Sequence, residues 1–111
     1  VLIASLFCKN AEGIEIDKFL HNKALEMKSR LNAKNAVFHN KDFFSHDFSK
    51  YDILFLSPDT DLGRGLETKL IREMKGKLIH YGNHFSPRYL KKEQAFLVNG
   101  TLVTLFGNDR I

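Results

Sequence analysis

The sequence predicts an α/β fold, a small doubly wound sheet of four mostly parallel strands with helices on both faces. Three observations carry that prediction. The run Val1–Phe7 is nearly continuously apolar, as in a strand buried on both faces, and Tyr51–Leu56 and Lys77–Tyr81 are further apolar-rich strand segments. Two other stretches repeat their apolar residues at helical spacing. The two kinds of stretch alternate, which favours right-handed β-α-β crossovers and a parallel sheet.

The 111 residues suit a single domain spanning 1–111, and a hydrophobic fraction of 43% with ten Phe can fill one core. The longest apolar run is far below the ~20 residues of a membrane helix, so no direct membrane insertion is expected. No basic segment precedes Val1–Phe7, which sets that run apart from a secretory leader. Cys8 is the only cysteine, which excludes an internal disulfide and fits the reducing cytoplasm. The formal charge of +4 is spread among acidic residues without a block of like charge. That pattern reads as a solvated surface, and no nucleic acid partner is expected.

Taken in order, Val1–Phe7 is the first expected strand and Cys8–Gly13 the turn after it. Ile16, Phe19, Leu20, Ala24, Met27 and Leu31 then mark the apolar stripe of a helix of about four turns. Asn35–His39 is a short strand, and Lys41–Lys50 a loop or helical turn. Tyr51–Leu56 is a buried strand stopped at Pro58. Leu62, Leu66, Leu70, Ile71 and Met74 define a second helix, with Asp59, Thr60 or Asp61 as its cap and Gly76 at its end. Lys77–Tyr81 is the next strand. Ser86-Pro87 reads as a helix start, with Phe85 and Leu90 at the staple positions. Asn99-Gly100 is either a hairpin turn or the cap of a short terminal helix.

In such sheets ligands bind at the carboxyl ends of the strands. On this prediction, Cys8 lies between the first strand and the first helix, where helical amides and dipole lower a thiol pKa and attract an anion. Ile14 stands where a cysteine phosphatase needs arginine, and Ala11 where a dithiol site needs its second cysteine. Both chemistries are therefore disfavoured, which leaves a thiol in an amide-lined loop. His84 and Arg64 are the possible phosphate contacts from neighbouring loops. The histidines show no metal-ligand spacing, so no metal site is expected, and with no nucleotide-binding glycine motif no cofactor is expected either.

Leu6-Phe7-Cys8, followed fifty residues on by Tyr51–Pro58, resembles the lactose/cellobiose-type enzyme IIB of the bacterial sugar phosphotransferase system. The Lys77–Tyr81 strand and the Tyr81-Gly82 pair lie in similar places. The resemblance implies a phosphoryl carrier. Cys8 would take phosphate from a phosphohistidine of a IIA-type protein and pass it to a sugar on the membrane IIC transporter. The amides of Lys9, Asn10, Ala11, Glu12 and Gly13 would cradle the phosphate. The loop departs from the family in lacking hydroxyl residues and in carrying Glu12 and Glu15. A non-catalytic regulatory or docking module of the same fold is the alternative.

Overall fold

The computed structural model describes residues 1–58 and 65–108. Its contacts divide the chain into two compact units, Val1–His46 and Asp47–Ile111.

In the first unit the expected opening strand is absent. Amide bonds from Ser5 to the Val1 carbonyl and from Cys8 to the Ala4 carbonyl wind these residues into helical turns around a 3-10 segment, Ala4–Leu6. A short apolar run has one pattern for both conformations, and here local hydrogen bonds decide. The Ser5 hydroxyl adds a bond to the Leu2 carbonyl at 2.6 Å. The first strand, β1 (Ala11–Ile14), comes later and pairs in parallel with β2 (Ala36–His39), Ala11 facing Ala36 and Ile14 facing His39. Helix α1 (Lys18–Leu31) connects them, as the apolar spacing predicts. Asp17 caps its start by accepting from the Phe19 and Leu20 amides. Asn32, in the left-handed region at φ 52°, ends it, and the Ala33 amide bonds back to Lys28. No residue of α1 is buried, and its stripe stays open, with Phe19 66% exposed. A 3-10 turn at Phe43–Ser45 fulfils the expected loop or helical turn.

The second unit holds β3 (Ile53–Leu56), α2 (Gly65–Glu73), β4 (Lys77–Tyr81), β5 (Lys91–Val98) and β6 (Thr101–Gly107). Its sheet runs β3-β4-β6-β5: β3 and β4 are parallel, while β6 is antiparallel to both β4 and β5. This corrects the expected mostly parallel four-stranded sheet; the chain is α/β with mixed pairing. The cause is the tight turn at Asn99-Gly100. Both residues take positive φ, 49° and 80°, the requirement of a two-residue hairpin, so the tail is a hairpin and not a helix.

The helix start expected at Ser86-Pro87 also fails. The Glu67 carboxylate accepts from the amides of Arg88, Tyr89 and Leu90 at 2.7–3.1 Å, and the chain then enters β5. Phe85 and Leu90 are both buried, as core residues of this unit. Leu66 and Leu70 of α2 are buried too, with Met74 just past the helix end, as are Leu78 and His80 of β4 and Val103 and Phe106 of β6. Lys69, also on α2, is buried by pairing with Glu73 at 2.8 Å and lying over the Phe48 ring. The expected caps Asp59, Thr60 and Asp61, together with Leu62 and Arg64, lie outside the described residues. Among the described residues, no helix is long and apolar enough to cross a membrane.

Candidate functional site

At the carboxyl end of β1 the chain passes through Glu15, Ile16 and Asp17 into α1. The Glu15 amide donates to the His39 carbonyl at 2.9 Å, extending the ladder one step past the strand. The Asn40 side-chain amide donates to the carbonyls of Glu15 and Ile16, at 2.9 and 3.2 Å. The turn is thereby tied to the end of β2. Asp17 is engaged as the cap. The Glu15 carboxylate is half-buried and accepts no hydrogen bond among the described residues. A carboxylate held at a strand end with its lone pairs open is an acceptor for a ligand's hydroxyls.

In the second unit the corresponding edge is Ser57-Pro58 after β3 and Gly82–Ser86 after β4. Gly82 takes φ 110°, which turns the chain out of β4, and its amide bonds to the Leu102 carbonyl at 2.8 Å. A cleft of about 450 Å³ opens here, lined among others by Glu67, Asn83, His84, Arg88 and Tyr89. Tyr89 is 80% exposed. Burial pushes the Glu67 carboxyl up, but its three amide donors and Arg88 outweigh that and hold it below the usual range. Burial, and then His84, lower the pKa of His80.

The residues expected to carry phosphate are placed differently. Cys8 is exposed and follows the 3-10 segment, not a strand; its carbonyl accepts from the Asn35 side chain at 3.0 Å. Lys9 and Asn10 are exposed ahead of β1, while Ala11, Glu12 and Gly13 are inside it. The Ala11 amide is bonded to the Asn35 carbonyl and Glu12 to His39, so these residues form a strand and not a cradle. His84 is exposed in the cleft after β4, and Arg64 lies outside the described residues. In the sequence Glu15 stands out only as a departure from the enzyme IIB loop. Its position one residue past a strand became readable only once β1 was located.

No protein-family model and no curated protein matches the chain. Solved structures do. An RNA methyltransferase from Salinibacter ruber in complex with S-adenosyl-L-homocysteine superposes with a TM-score of 0.77 at 19% identity, over 92% of this chain and 68% of that one. A putative methyltransferase from Escherichia coli gives 0.69 at 16%, covering 92% of this chain and 65% of that one. The Pyrococcus abyssi tRNA (uracil-54, C5)-methyltransferase, also with S-adenosyl-L-homocysteine, gives 0.78 at 14%, over 96% of this chain and 31% of that one. The chain thus spans about two thirds of the first two and under a third of the last.

These likenesses place the chain in a Rossmann-like fold shared with methyltransferases. They overturn the resemblance to enzyme IIB, and with it the phosphoryl-carrier function, the IIA and IIC partners and the role in sugar uptake. The alternative of a docking module of the IIB fold goes too. The expectation of no nucleic acid partner is likewise withdrawn, since two of these neighbours are RNA and tRNA methyltransferases. The resemblance rests on a short apolar segment ending in cysteine, which has the pattern of a strand but folds into helical turns.

Proposed function

We propose that this chain forms the greater part of a methyltransferase domain that binds S-adenosyl-L-methionine and transfers its methyl group to a nucleic acid. The observation that carries this reading is the superposition of 92% of the chain on an RNA methyltransferase holding S-adenosyl-L-homocysteine. The residues present fit such a ligand. Its ribose carries two adjacent hydroxyls, and the Glu15 carboxylate offers two acceptor oxygens at the carboxyl end of β1. The ligand has no phosphate, so the lack of a phosphate-binding glycine loop does not count against it. When bound, the cofactor would supply a methyl group on a positively charged sulfur.

Glu15 is the residue of this chain assigned to orient the ribose, and its hold comes from the backbone. The amide bond to His39 and the Asn40 bridge fix where the turn lies before any ligand arrives.

The test is calorimetric titration of S-adenosyl-L-homocysteine into the intact protein, paired with transfer of labelled methyl groups to RNA. One bound equivalent is expected, and Glu15→Gln should weaken binding roughly ten- to a hundredfold, the worth of hydrogen bonds to a charged acceptor. No binding by folded protein at millimolar ligand would refute the proposal, and wild-type affinity in Glu15→Gln would remove Glu15 from it.

A further inference from the structure

We propose that Glu12, His39 and His46 form a site for one divalent transition-metal ion of the zinc type. The site lies wholly within the first unit and does not depend on methyl transfer. One ligand atom from each residue falls within 4.8 Å of the others. The His39 Nε2 and a Glu12 carboxylate oxygen are already 2.8 Å apart. The His39 and His46 rings lie 4.8 Å apart between centroids, tilted by 43°.

Sequence spacing hides this cluster, because the residues stand far apart and match no local motif. Strand pairing assembles it. Glu12 faces Val37 and Ile14 faces His39 across the parallel ladder, so Glu12 and His39 share one face as diagonal neighbours. His46 arrives from the 3-10 turn that follows β2. Its amide bonds to the Phe43 carbonyl at 3.1 Å, and Asp42 caps the turn through the Phe44 amide at 3.0 Å. His46 is buried, while the Glu12 and His39 side chains keep 21% and 27% exposure. The cluster therefore has a closed side and an open side.

Two imidazole nitrogens and one carboxylate oxygen suit zinc and its neighbours. They do not suit calcium or magnesium, which need a larger set of oxygens. With metal–ligand bonds of roughly 2.0–2.2 Å, tetrahedral ligand atoms sit about 3.3 Å apart. The widest pair must therefore close by at most about 1.5 Å, within reach of a side-chain rotation. The ion would take the place of the direct His39–Glu12 hydrogen bond, and three protein ligands leave its fourth position to solvent on the open side.

The test titrates Zn²⁺, and Co²⁺ as its spectroscopic stand-in, into untagged, metal-free intact protein. Saturation at one equivalent is expected, with a visible Co²⁺ absorption of tetrahedral intensity and a rise in the melting midpoint. Glu12→Gln and His46→Gln should each weaken binding by about a hundredfold or more, since even residues that only support a ligand are worth 10–100-fold. Absence of saturable binding at micromolar Zn²⁺, or wild-type affinity in both variants, would overturn the site. Should His46→Gln fail to fold, Glu12→Gln carries the test alone, because its side chain is partly exposed and the change nearly isosteric.

Discussion

His80 is 1% exposed in β4, and its Nε2 finds no hydrogen-bond partner among the described residues. Its ring meets Phe85 edge-on at 5.7 Å. Burial first, and the nearby His84 second, hold its pKa below the ordinary histidine value. The unfolded chain therefore binds more protons than the folded one between the two values. Stability is complete above the unfolded value of about 6.5 and declines as pH falls through it toward the folded value. Thermal melts should show the midpoint dropping from about pH 7 to about pH 5.5, and His80→Phe should flatten that drop. An unchanged slope in the variant would assign the effect elsewhere. Gly76 is a second single-residue constraint, because a Cβ there would collide with the Asp52 backbone carbonyl. Gly76→Ala should cost roughly 1–3 kcal/mol, read from denaturant midpoints, as the backbone shifts to make room.

Between elements, two carboxylates of α2 do the joining. Glu67 ties the helix to the segment before β5 through three amides, and Glu73 accepts from the Phe48 amide at 3.0 Å as well as from Lys69. Burial raises the pKa of each, and the donors outweigh it, so both are held below the ordinary value. Their contribution is present above the unfolded carboxylate value of about 4.3 and is lost as pH falls through the folded value. Glu67→Ala should cost on the order of 2 kcal/mol by leaving amides unpaired, and should free Arg88–Leu90 to exchange faster with deuterium. Unchanged protection at those amides would show that water serves them equally well. Helix α1 is the opposite case: its period is plain, yet Phe19, Leu20 and Leu31 remain more than half exposed.

For the molecule as a whole, the charge of +4 offers a test of the nucleic acid substrate proposed above. Association with RNA should weaken steadily as salt rises, with a slope set by the number of phosphates neutralised. Filter-binding or fluorescence titrations over a range of salt concentrations would measure it. Affinity independent of salt would argue for a substrate other than a polyanion.

Sequence alone determined the α/β class, helices α1 and α2, and strands β2, β3 and β4, because apolar periodicity and runs are local properties of the chain. It could not separate a strand from helical turns at Val1–Phe7, where six apolar residues in seven satisfy either. Nor could it foresee that Glu67, about twenty residues upstream, would take the amides of the expected helix at Ser86-Pro87. Asn99-Gly100 carried both of its readings until the pairing of β5 with β6 chose one. The candidate sites followed the same division. Glu15 acquires its place from the end of β1, and Glu12, His39 and His46 meet only through strand register and the turn after β2. Spacing along a chain encodes neighbours within an element, whereas sites are made where elements end or cross, and that is a property of tertiary structure.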